Sequence, residues 1–150
     1  MRNAAKQYVE AVSGSVLNRD QLDIMANSGS TSFRAIAQLK LAAIAMKKGD
    51  LSAAAYYYKV VSASQSLSQE YTDFAALMLI KSEICMKKHE IAESISLLKN
   101  YISTSQHFKE LASLYIAVMF LDNQDTLEAQ RYLDYILEKN QGERASSGMA

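Results

Sequence analysis

Met46-Lys47-Lys48-Gly49-Asp50-Leu51 and, 40 residues further on, Met86-Lys87-Lys88-His89-Glu90-Ile91 are two copies of one pattern. In the first copy Lys47 and Lys48 occupy a helix's last turn, where positive charge suits the negative end of the helix dipole. Gly49 follows where a left-handed residue is wanted after a helix. Asp50 then has the short acceptor side chain that caps the start of the next helix. The stretch reads as one helix ending, a tight turn, and another helix beginning.

Upstream, Phe33, Ile36, Leu39, Ala43 and Met46 recur at steps of three and four residues, which predicts a first helix over Ser32 to Lys48. Downstream the second helix covers Leu51 to Ser62. A further alignment extends the pattern: Phe33-Arg34-Ala35-Ile36-Ala37-Gln38-Leu39-Lys40-Leu41-Ala42 matches Phe108-Lys109-Glu110-Leu111-Ala112-Ser113-Leu114-Tyr115-Ile116-Ala117 at an offset of 75. Three helical hairpins follow, over residues 32–64, 69–104 and 107–140, with a period in the range of helical repeat arrays. The second hairpin is expected as helices over 69–88 and 90–103, the third as helices over 108–121 and 126–139. The sequence reading is therefore all-α, a right-handed superhelix of hairpins forming one domain over residues 1–140, with 141–150 a flexible tail.

Small residues recur where two helices must approach closely. Ala42, Ser82 and Ala117 share one position of the first helix of each hairpin, and Ala54, Ser94 and Ala129 share one position of the second. Tyr58, Leu98 and Leu133 stand four residues after the latter set and are expected to close the core. The chain has no proline, consistent with uninterrupted helices.

These small residues, the Gly49-Asp50 turn, Ala54 and Tyr58 resemble the tetratricopeptide repeat. The other two copies are degenerate, with His89 and Gln124 in place of the turn glycine and no terminal proline in any copy. The stretch Phe33 to Tyr58 also resembles the YfgM-like family of bacterial tetratricopeptide-like proteins. That resemblance implies an envelope setting, on the periplasmic side, as an accessory to the Sec translocon and its chaperones. In that family a membrane anchor precedes the repeats. Apolar runs of this chain such as Phe74 to Ile80 fall far short of the roughly 20 residues a membrane span needs.

Before the first full hairpin, residues 2–28 read as a short irregular pair of helices carrying Tyr8, Val9, Val12, Val16 and Leu17, with Asn18 and Gln21 in a capping arrangement.

Composition narrows the function. Sixteen Lys and Arg balance 16 Asp and Glu, so the chain as a whole lacks the positive charge of a general nucleic-acid binder. No cofactor, metal or catalytic constellation is expected. Cys85 reads as a buried packing residue. His89 and His107 lack metal-ligand spacing, and the acid pairs Asp20 and Asp23, and Asp122 and Asp125, read as helix-end residues. In Tyr56-Tyr57-Tyr58, successive side chains point about 100° apart, so Tyr58 is expected in the core and its two neighbours partly exposed.

What remains is a binding face. In stacked hairpins the first helices line a concave groove. The expected lining is Ile36, Lys40, Ala43, Met46 and Lys47 from the first, Leu79, Ile80, Glu83, Met86 and Lys87 from the second, and Tyr115, Val118 and Leu121 from the third. Such a surface takes an amphipathic helix or extended segment of a protein partner. The expectation is thus a non-enzymatic interaction module. A soluble secretion chaperone with three such repeats, or a homodimerising structural protein joined through the groove or the last helix, is the alternative.

Overall fold

The structure is a computed structural model, and it describes residues 31–148, with side chains from 32 to 139. The expected N-terminal helix pair of residues 2–28 lies outside the described residues. Among them there are six helices and no strand: α1 Thr31–Lys48, α2 Leu51–Ser62, α3 Gln69–Cys85, α4 Ile91–Thr104, α5 Lys109–Asp122 and α6 Thr126–Gly148. The all-α class follows.

The chain divides into two compact units, the first ending at Lys88 and the second beginning at His89. In the first, α1 packs on α2 and α2 on α3. In the second, α4 packs on α5 and α5 on α6. The two helices expected to form the second hairpin, α3 and α4, thus belong to different units. Helix α6 also continues to Gly148, past the Lys139 at which the sequence reading ended it.

The close-approach positions are as the sequence required. Ala42, Ser82, Ala117, Ala54, Ser94 and Ala129 are all buried, and so are Tyr58 and Leu98, while Leu133 is half-buried. Two of the three buried serines bond back to their own helix: Ser82 Oγ donates to the Met78 carbonyl at 2.8 Å and Ser113 Oγ to that of Lys109 at 2.9 Å. The hydroxyl of Ser94 has no hydrogen-bond partner.

The turns explain how degenerate repeats keep one design. After α1, the amide of Asp50 donates to Ala45 at 2.9 Å and that of Gly49 to Met46 at 3.1 Å. This is the paired Schellman arrangement, and Gly49 holds the left-handed conformation it demands, at φ 82°. After α5 the amides of Asp125 and Gln124 reach Phe120 and Leu121 in the same way, and Gln124 takes φ 62°. After α3 the residue with positive φ is Lys87, at 56°, with Lys88 and Lys87 bonded to Glu83 and Ile84. That is two residues before His89, which sequence alignment equates with Gly49. Asp50 caps α2 as expected, accepting from the Ala53 amide at 3.3 Å.

Candidate functional site

The early end of α3 rearranges the expected groove. Lys87 is outside any helix and does not extend the face of α3, so the helical spacing that placed it beside Met86 does not apply. Cys85 is exposed rather than buried. Its repeat equivalents Ala45 and Phe120 lie inside helices that run on to Lys48 and Asp122, whereas Cys85 is the last residue of its own. Ile36 is also displaced from the binding face. It is 6% exposed and flanked by buried Ala35 and Ala37, three successive directions around α1, so this level of the helix is covered over most of its circumference.

The other expected residues of α1 stay at the surface. Lys40, Ala43 and Lys47 are exposed and Met46 is half-buried. On α3, Leu79, Ile80, Glu83 and Met86 are half-buried. Three of these converge. Leu79, Glu83 and Met86 form one wall of an open recess of about 260 Å³, and Ser52, Ala55, Tyr56 and Lys59 of α2 form the other, with Lys88 at its end. Ser52 Oγ lies 3.8 Å from the Met86 sulfur and donates to it. The ring of Tyr56 stands 63% exposed at the rim and meets Tyr57 edge-on, with centroids 5.4 Å apart. Tyr58, one residue on, is in the core. The recess therefore combines apolar surface, an aromatic rim and two lysines with one carboxylate. Of the residues expected in the groove from this part of the chain, Leu79, Glu83 and Met86 line the recess and Ile80 and Lys87 do not, and its α2 wall was not expected because period-based reading treats the second helix of each hairpin as outer structure.

In the second unit, the expected Tyr115, Val118 and Leu121 lie along one side of α5, together with Leu114, which was not among the expected site residues. Leu114, Val118 and Leu121 follow each other at four- and three-residue steps and are 40%, 45% and 47% exposed, with Tyr115 half-buried beside them. The opposite side of α5, with Ala112, Ser113, Ile116 and Ala117, is buried. A helix apolar on every side is ordinarily enclosed, so this stripe is unusual. A separate polar recess of about 420 Å³ opens among Lys99, Ile102, Ser113, Glu128, Arg131, Tyr132 and Tyr135. Its Arg131 is paired with Glu128 at 3.0 Å, so that cation's charge is already partly answered.

No group of side chains with metal-ligand geometry occurs among the described residues, and no described helix is long and apolar enough to cross a membrane. Comparison with protein-family models, with characterised proteins and with solved structures finds no match to the chain.

Proposed function

We propose that the chain is a non-enzymatic interaction module of tetratricopeptide-like helical hairpins that holds a segment of a protein partner. The observation that carries this reading is the recess of the first unit. Leu79 and Met86 offer apolar contact area, Tyr56 a rigid amphipathic anchor, and Lys59 and Lys88 a polar margin, the composition of a docking surface rather than of a reaction centre. The exposed stripe on α5 supplies a second such surface. By the resemblance of Phe33 to Tyr58 to the YfgM-like family, the setting is the bacterial envelope, beside the Sec translocon.

Photocrosslinking in the native host tests this. A crosslinking amino acid at Met86, with Tyr115 as a second site, is expected to trap discrete protein adducts, and Met86→Glu is expected to remove capture while leaving the helical circular dichroism unchanged. Absence of any adduct from both sites refutes the docking reading. Unfolding of Met86→Glu would mean that the recess wall is core.

A further inference from the structure

The formal neutrality of the chain hides an opposition. Residues 1–88 contain 11 Lys and Arg against 7 Asp and Glu, a net charge of +4. Residues 89–150 contain 5 against 9, a net charge of −4. Among the exposed apolar surfaces of the described residues, one in each unit stands out for its partner-sized contiguity. The basic unit has the concave recess between α2 and α3, margined by Lys59 and Lys88 with Glu83 on its wall. The acidic unit has the convex stripe Leu114, Val118 and Leu121, followed in sequence by Asp122 and Asp125. A recess with two lysines to one carboxylate in a basic unit and a projecting apolar helix face ending in two aspartates in an acidic unit are complementary in polarity and in the sign of their unit's net charge.

We infer that the occupant of the first unit's recess is the α5 stripe of a second copy of this chain, so that copies associate head to tail. This rests on the docking reading of the recess and names its partner. The contact is heterologous, since the two faces differ, and successive copies therefore add to an open or ring-closed chain rather than stopping at a symmetric pair. A stable interface buries about 800 Å² per partner. The outer face of a 14-residue helix some 20 Å long offers much less than that. The association is accordingly weak and favoured by the opposed net charges, so it weakens as salt shortens the screening length to about 3 Å at 1 M.

The test uses two variants of the full chain, each disabling one face. Lys59→Glu with Lys88→Glu reverses the recess margin, and Val118→Lys places a cation on the stripe. Leu121→Lys replaces the latter if Val118→Lys loses helical signal. Sedimentation equilibrium from about 1 μM to 1 mM is expected to show the wild-type mass rising with concentration at low salt and falling back at 1 M NaCl. Each variant alone is expected to stay a single chain. Their equimolar mixture is expected to form a species of two chains and no larger, because only one intact recess and one intact stripe remain. A wild-type single chain throughout overturns the inference. So does loss of association in the stripe variant but not in the recess variant, which marks a symmetric α5 contact. A mixture that fails to pair overturns it as well. If the wild type stays single while Met86 still crosslinks to another host protein, the docking reading stands and its occupant is not a second copy. If neither occurs, both fall.

Discussion

Replacing Gly49 by alanine isolates the cost of one backbone conformation. Gly49 sits at φ 82°, and a Cβ built on it meets no atom within 4 Å. Steric collision with neighbours therefore contributes nothing, and the penalty is that of holding an L-residue in the left-handed region, about 1–2 kcal/mol. Alanine also narrows the unfolded ensemble, which returns about 0.4–1 kcal/mol to the folded state. The net expectation is a loss of roughly 0.5–1 kcal/mol, with Gly49→Asn milder because asparagine tolerates this region better. Gln124 is the reciprocal case. It makes the same pair of turn bonds at φ 62° with a side chain attached, so Gln124→Gly relieves the same strain and is expected to stabilise by roughly 0.5 kcal/mol. Urea unfolding followed at 222 nm, with linear extrapolation, resolves both. The rank order for position 49 is Gly, then Asn, then Ala. If Gln124→Gly is destabilising, or if Gly49→Ala costs nothing, the equivalence of the two turns is wrong.

Ser94→Ala removes a buried hydroxyl that has no partner, and alanine already stands at the equivalent positions 54 and 129; a gain of about 1 kcal/mol in unfolding free energy is expected, and a loss would reveal a bond the hydroxyl makes. Leu98→Ala, at a fully enclosed site of α4, is expected to cost about 2–5 kcal/mol in the same assay, and a cost below 1 would place Leu98 outside the core. The Glu110 carboxylate bonds Lys139 Nζ at 2.8 Å, tying the first turn of α5 to α6, and that hydrogen bond holds its pKa below the ordinary 4.5. A lowered carboxylate pKa contributes stability above the ordinary value and loses it as pH falls through the lowered one; because both side chains are about one-third exposed, the pair is worth only about 0.2–1 kcal/mol. Lys139→Met is expected to raise the Glu110 pKa in a carbon-detected NMR titration and to flatten the acid limb of the stability profile; an unmoved pKa refutes the pairing.

The parts of the fold legible in the sequence were those set by local chemistry. Helix α2 begins and ends at the residues expected, because Asp50 and Gly49 fix its start by hydrogen bonding and φ. The buried small residues were legible because helix approach tolerates nothing larger there. The end of α3 was not. Met86-Lys87-Lys88 repeats Met46-Lys47-Lys48 letter for letter, yet Lys47 and Lys48 are helical while the later pair forms the turn. With no glycine at 89, nothing in the sequence favours that residue for the left-handed position, and Lys87 takes it. This slip of two residues exposed Cys85 and removed Lys87 from the candidate site. The site itself was half legible. Periodicity marked Leu79, Glu83 and Met86, but only tertiary packing brings Tyr56 and Lys59 opposite them.

The slip coincides with two other changes. The compact units divide between Lys88 and His89, and the sign of the net charge reverses at the same place. A turn designed solely to continue an array would be expected to keep the register of the repeat, as the turns at Gly49 and Gln124 do. The turn at Lys87 makes the same pair of bonds around a left-handed residue, as Gln124 does without glycine, but two residues earlier in register. Repeat arrays gain stability from each hairpin's contact with the next, yet in this chain the boundary between units runs through the middle of what the sequence presents as the second hairpin. Among the described residues, three helices pack within each unit, and no hairpin of the sequence reading spans the boundary intact. The boundary thus separates a basic unit from an acidic one, and each brings its own exposed surface.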